Sequence, residues 1–365
     1  MRMLRSLVLL ASLLSGAAWA VQDSALAQDA EPFFFRIGTG STAGTYYPIG
    51  SILASAISNP PGSRPCDDGG SCGVPGLIAV VQSTNGSVAN VRGLSEGRLE
   101  AALVQADVAY WAYTGEGVFE GAPPFDNLRS IANLYPEVIQ LVVRRDARID
   151  SVPDLRGKRV SLDQAGSGTR VDATLVLEAF GLTPEDIEDV SVTAGEAIAL
   201  MREDRLDAFF FVAGTPTNAI SSLAQDVAIT LLPLAGPEIE ALRAKYPFFA
   251  RDVVSAGTYS NVPATPTLSV GAQLMTSTAV PEATIYEVTR ALWHANTRVL
   301  LDGGHPKGKQ IELNTAFNGL GVPLHPGAAR YYVERGITLF DDEDQETSGA
   351  EPNPATGAEG QEEAQ

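Results

Sequence analysis

Three short polar stretches carry the residue types that capture a small solute: Gly38 to Thr45, Gln82 to Ser87 and Gly166 to Arg170. Each stands between an apolar run that reads as a strand and a spaced apolar run that reads as a helix. At such a junction glycine lets a solute approach the backbone, hydroxyls donate to oxygen, and the free N–H groups of the helix start favour an anion. Arg170, directly after Gly166-Ser167-Gly168-Thr169, adds a planar fork able to hold a carboxylate with two hydrogen bonds. Its structural alternative is an ion pair with Asp172 or with a residue of a neighbouring lobe. Gln105 and Asp107 bracket a strand entrance, where either can receive an amino group or orient the loop, and Asp107 can equally cap a helix. Tyr110, Tyr135 and Phe211 are candidate hinge-side walls, although aromatic residues at such places are also ordinary core packing.

Other chemistries find little support. The stretch Gly38-Thr39-Gly40-Ser41-Thr42-Ala43-Gly44 lacks the glycine spacing of a dinucleotide loop and the Gly-Lys-Ser or Gly-Lys-Thr ending of a nucleotide phosphate loop, so no cofactor is expected. No nucleophile elbow stands at a strand-to-helix turn, and His294, His305 and His325 show no ligand or base spacing. The chain is therefore not expected to be an enzyme or to hold a metal. Cys66 and Cys72 are the only cysteines, with five residues between them, two of them glycine, and in an oxidising compartment they are expected to form a local disulfide. Two cysteines alone are too few for a metal site.

The elements that must position these loops alternate. Phe33 to Gly38 reads as a strand and Tyr46 to Ser58 as a helix, with Pro48 tolerated in its first turn. Leu77 to Val81 reads as a second strand. Glu96 to Leu103 is expected as a short helix feeding a strand at Ala106 to Tyr110, just as Gly195 to Arg205 feeds Asp207 to Val212. Leu141 to Val143 and Val160 to Leu162 read as further strands, Val171 to Phe180 as a helix, Leu268 to Met275 as a strand, and Pro281 to about Val299 as one helix. The pattern predicts an α/β fold of two lobes with mixed sheets, a hinge and a central cleft. The expected division is a signal peptide over 1–27, a first lobe over 28–135, a second lobe over 136–260, a return to the first lobe over 261–340, and an acidic tail over 341–365. Two crossings between lobes restrict their motion to opening and closing about a hinge.

The two ends bear on location. Arg2 and Arg5 introduce a mainly apolar run reaching Ala20, too short for an ordinary membrane span of roughly 20 residues and followed by small residues, which predicts export through a cleavable signal peptide to the periplasm. Cleavage after Ala27 is favoured over cleavage after Ala20. About half of the net charge of −19 sits in residues 341–365, which hold nine Asp or Glu and no Lys or Arg. Such a tail is expected to stay solvated, and the balance argues against nucleic acid as a partner.

Five motifs, in order, carry a resemblance: Ile37 to Pro48, Asn85 to Asn90, Ser167 to Arg170, Asp207 to Phe211, and Pro323-Leu324-His325-Pro326-Gly327-Ala328. Through them the chain resembles the TAXI-family solute receptors of tripartite ATP-independent periplasmic (TRAP) transporters, over about Phe33 to Phe340. The resemblance implies a type II periplasmic binding protein fold and capture of a small carboxylate or amino acid, glutamate-like or a 2-oxoacid. The implied partners are the membrane subunits of a TRAP transporter. It also implies ligand contacts from Ser41, Thr42, Thr45, Asn85, Ser87, Gln105, Ser167, Gly168, Thr169 and Arg170, with walls from Tyr110, Tyr135 and Phe211. Ala43 and Ala106 depart from the family pattern, where glycine and serine are common, and leave the solute open. A secreted module that reports ligand state to a signalling partner is the alternative reading.

Overall fold

In the computed structural model, which describes residues 32–337, the alternation of short apolar strands with amphipathic helices builds one continuous sheet with helices on both faces. Strand β1 (Phe33–Gly38) leads into α1 (Tyr46–Ile57). The two-residue strands β2 (Ser58–Asn59) and β3 (Val74–Pro75) pair at the base of the cysteine loop, and the Cys66–Cys72 disulfide is formed, with its Cα atoms 4.7 Å apart. Then come β4 (Leu77–Gln82), α2 (Ser87–Ser95), β5 (Ala101–Gln105), α3 (Ala106–Thr114) and the 17-residue β6 (Leu128–Arg144). The chain continues through β7 (Arg159–Ser161), α4 (Gly168–Ala179), β8 (Glu188–Asp189), α5 (Ala194–Arg202), β9 (Ala208–Ala213), α6 (Asn218–Asp226), β10 (Ile229–Leu231), α7 (Pro237–Lys245) and β11 (Ala250–Val254). It returns along β12 (Thr265–Ser277) and ends with α8 (Glu282–Leu292), α9 (Ala295–Gly304) and α10 (Pro326–Glu334).

The strand order is β4-β1-β5-β12-β6-β9-β7-β8, with β10 added to β6 and β11 to β12. The long strands β6 and β12 run antiparallel through the middle of the sheet. The last part of β12 lies between β5 and the first part of β6, while the second part of β6 pairs with β9 and the first part of β12 with β11. The pair is thus shared by two lobes, and register shifts at Ala272/Gln273 and Leu274/Met275 mark where it passes between them. The molecule has the two-lobed α/β architecture of type II periplasmic binding proteins, with mixed strand directions and a hinge between the lobes.

Period-2 burial explains the packing. In β9, Phe210 and Val212 face Ala173, Val176 and Leu177 of α4, while Phe209 and Phe211 face Ala197, Ile198 and Met201 of α5. Each such Phe contributes about 1.5–3 kcal/mol by burial. In the first lobe, Phe35 and Ile37 pack with Ile49 and Leu53 of α1 and with Ile285 and Val288 of α8.

Several expected elements differ. Ala106 to Tyr110 is the start of α3 and not a strand, and Glu96 to Leu103 is not a helix: α2 ends at Ser95 and Ala101 already belongs to β5. The stretch from Ala101 to Ala109 is fully buried, so its apolar pattern cannot distinguish a strand from a helix; the turn at Gln105 does. Leu141 to Val143 is the end of β6 rather than a new strand, because Tyr135 and Pro136 pair with Ala272 and Gly271 and the ladder continues through them. The single helix expected from Pro281 is two, broken at Trp293 and His294, where the His294 ring caps α9 through the Asn296 amide. The signal peptide and the acidic tail lie outside the described residues.

Candidate functional site

The polar loops converge because three strand-to-helix turns end at the same edge of the sheet, where the lobes meet. From the first lobe come the start of α1 with Gly40, Ser41, Gly44, Thr45 and Tyr46, the start of α2 with Asn85, Gly86 and Ser87, and Gln105 at the end of β5. The second lobe supplies Asp163, Gln164, Ser167, Gly168 and Thr169 ahead of α4, and Phe211 and Val212 from β9. Glu137 of β6 forms part of the wall at the hinge. Three helix N-termini therefore open on one small space, and their unpaired amides favour a negatively charged group there.

The lobes are drawn together over this space, which measures about 50 Å³. Asn85 Nδ2 donates to the Ala165 carbonyl at 3.0 Å, the Ala89 amide to the Gly166 carbonyl at 3.0 Å, and Thr45 Oγ1 to the Gly214 carbonyl at 3.1 Å. Gln105 Nε2 donates to Asp172 Oδ2 at 2.5 Å. The approach is close enough that a Cβ on Gly168 would stand 1.5 Å from Gln105 Oε1. A solute larger than a few waters enters only when these contacts part.

The electrostatics come from buried acids. Glu137 accepts a hydrogen bond from the Tyr46 hydroxyl at 2.6 Å, and burial pushes its pKa up to about 8, with Tyr46 and the nearby Lys307 holding it down and Asp107 adding to the rise. Asp163, in the left-handed backbone region at φ 76°, is raised by burial to about 6. That conformation is costly for a residue with a side chain and is common at ligand sites. Among the described residues, neither arginine nor lysine lines the space.

Of the residues expected to touch ligand, nine stand in this wall: Ser41, Thr45, Asn85, Ser87, Gln105, Ser167, Gly168, Thr169 and Phe211. The other four do not. Thr42 is exposed beside the loop. Tyr110 and Tyr135 line a separate groove behind the hinge, where Tyr110 packs on Phe248 at 5.2 Å. The Arg170 guanidinium is taken up by Asp189 and by the Asp163 carbonyl at 3.0 Å, so the expected carboxylate fork becomes a strut beneath the loop. Its expected partner Asp172 lies on the other side of α4 and bonds to Gln105. Several hydroxyls also have structural tasks: Ser167 caps α4 through the Arg170 amide at 3.0 Å, and Thr169 Oγ1 accepts from the Val212 amide at 3.1 Å. Sequence reasoning missed Glu137, although a lone acid between the apolar runs on either side of Pro136 is the kind of signal that marks a buried functional charge.

Comparison with known proteins corrects the family expectation. The family model that matches is that of the NMT1-like family, over residues 37–336, and not a TAXI-family model. Similar solved structures include the alkanesulfonate-binding protein SsuA from Xanthomonas axonopodis pv. citri bound to MOPS, at 16% identity over 84% of this chain and 95% of that one, with a TM-score of 0.42. The periplasmic aliphatic sulphonate binding protein SsuA from Escherichia coli is 15% identical over 92% and 97%, with a TM-score of 0.38. A binding protein component of an ABC phosphonate transporter from Pseudomonas aeruginosa is 10% identical over 80% and 83%, with a TM-score of 0.44. The motifs behind the earlier resemblance are small polar turns that a two-lobed binding fold needs at its strand ends whatever it carries, which is why they point to the architecture better than to one family. Matched over 37–336, a span that holds both lobes and the whole cleft wall, the chain belongs to the NMT1-like family.

Proposed function

We propose that this protein is an exported, non-catalytic solute-binding protein that closes on a small amino acid and presents it, by its closed shape, to a membrane permease. The observation that carries the reading is the pairing of two opposite chemistries in the wall of one small space: three helix N-termini together with two buried acids, Glu137 and Asp163. Amide dipoles suit a carboxylate, and a buried acid without a fixed cation in the wall suits an ammonium group. This favours an amino acid, whose ammonium pairs with the ionised acid, over a 2-oxoacid, whose keto oxygen can only accept from the protonated one. Export follows from the leader and agrees with the disulfide, which persists in oxidising compartments. Closure stabilises the bound state because only the closed cleft aligns both sets of groups.

Calorimetry with a panel of amino acids and their 2-oxoacid counterparts tests this directly. Binding of an amino acid, weakened by about 2 kcal/mol or more in Glu137→Gln, is the expected result. A panel in which 2-oxoacids bind and amino acids do not would overturn it.

A further inference from the structure

Behind the cleft wall lies an arrangement that solute capture alone does not require. Asp107, in the first turn of α3, and Asp172, in α4, belong to different lobes, and both are buried, with exposures of 0% and 1%. Their carboxyl groups face each other within hydrogen-bonding reach. Gln105 Nε2 bonds to Asp172 Oδ2, but both oxygens of Asp107 and the second oxygen of Asp172 have no hydrogen-bond partner among the described residues. Two carboxylates in contact, out of water and without a donor between them, repel strongly. A single proton turns the repulsion into a hydrogen bond.

We infer that Asp107 and Asp172 share one proton across the closed cleft, so that closing the lobes takes up a proton from solution. The surroundings offer no other neutraliser. Glu137 on β6 adds negative charge, Ser87 and the hydroxyls of Tyr46 and Tyr135 are neutral, and the one nearby cation among the described residues, Lys307, acts on Glu137. Burial raises both aspartates and Asp107 raises Asp172 further, while Asp172 and the first-turn amides of α3 hold Asp107 down only in part and the Gln105 side chain holds Asp172 down only in part. When the lobes part, both side chains return to water and to ordinary values near ~3.9. Between that value and the raised one, the closed form holds a proton that the open form lacks. The ratio of closed to open molecules therefore falls as pH rises, by up to about tenfold per pH unit for one proton. Glu137, raised to about 8, adds a second proton-linked step of the same sign when no solute ammonium stands beside it.

This inference rests on the two-lobed binding reading but not on the solute, so it is tested without one. Small-angle scattering and the fluorescence of Trp111, which packs on Tyr246 at 5.5 Å and Phe248 at 5.6 Å across the seam, report closure from pH 5.5 to 8.5. The Glu137→Gln protein isolates the pair: it is expected to open with rising pH at the one-proton slope. In Asp107→Asn the side-chain amide donates to Asp172 without a proton, so the profile is expected to be shallower than wild type by one proton. The variant lacking both Glu137 and Asp107 carboxyls is expected to be flat above about pH 7, beyond the titration of Asp163, which burial raises to about 6. A flat profile in Glu137→Gln, or a wild-type slope in Asp107→Asn, overturns the inference. If Asp107→Asn does not fold, Asp172→Asn serves in its place, with the donor on the other side. A protein that binds 2-oxoacids would defeat the proposed solute and leave this outcome untouched.

Discussion

At the scale of single residues, the cleft is governed by how closely two backbones approach. Gly168 begins α4 opposite Gln105 and Ser87, and an added methyl would stand 1.5 Å from Gln105 Oε1 and 2.9 Å from Ser87 Oγ. Both neighbours are held, the first by Asp172 and the second by the Gln105 amide at 3.1 Å. Gly168→Ala should therefore wedge the lobes apart while each lobe keeps its own core. The expected cost is about 1–3 kcal/mol, felt by the closed form alone, which weakens solute binding by about fivefold or more with little change in melting. Paired calorimetry and thermal melts check it, and wild-type affinity in this variant would sink the argument. The glycine was legible in the sequence as a small residue at a helix start. Its partner was not, because which side chain meets it depends on how the second lobe docks. Arg170 illustrates the same limit: its type and position suit a carboxylate, yet Asp189, nineteen residues on, claims it first.

At the scale of elements, strands with clear punctuation were readable and fully buried ones were not. Phe33 to Gly38 ends at a glycine-rich turn and forms β1 as expected, whereas Ala101 to Ala109 is buried throughout and hides a strand-to-helix switch. The cysteine loop is an element with a local role. It closes over Ser71 and Gly73 beside β2 and β3, and Cys72 Sγ accepts a hydrogen bond from Asn296 Nδ2 of α9 at 2.9 Å. Six positions separate the two cysteines, so removing the bond releases only a short loop. Replacing both by serine should cost at most about 2 kcal/mol in chemical denaturation. Solute affinity should stay within twofold, since none of the cleft groups lies in this loop; a large affinity loss would assign the loop a part in closure.

At the scale of the whole molecule, the sheet is one object that two lobes share. The alternating pattern and the return segment made an α/β two-lobed fold readable, but not the 17-residue β6 that crosses the hinge without a break. Its continuity depends on pairing with β12, more than a hundred residues later, and no local pattern encodes a partner at that distance. The dependence is testable by truncation. A chain ending at residue 263 keeps β1 to β11 but leaves β5 without its β12 neighbour and β6 bare along one side. It should be digested rapidly by a protease that spares the full protein, and a resistant core in the first lobe would count against a shared sheet.

The same late strand sets a clock. The middle of the sheet is laid down only when Thr265 to Ser277 arrives, so the contacts that lock both lobes are among the last to become available along the chain. A polypeptide threaded through a narrow export channel from its N-terminus remains unlocked for most of its passage. It sets into its final shape on the far side, where its cysteines can also be joined.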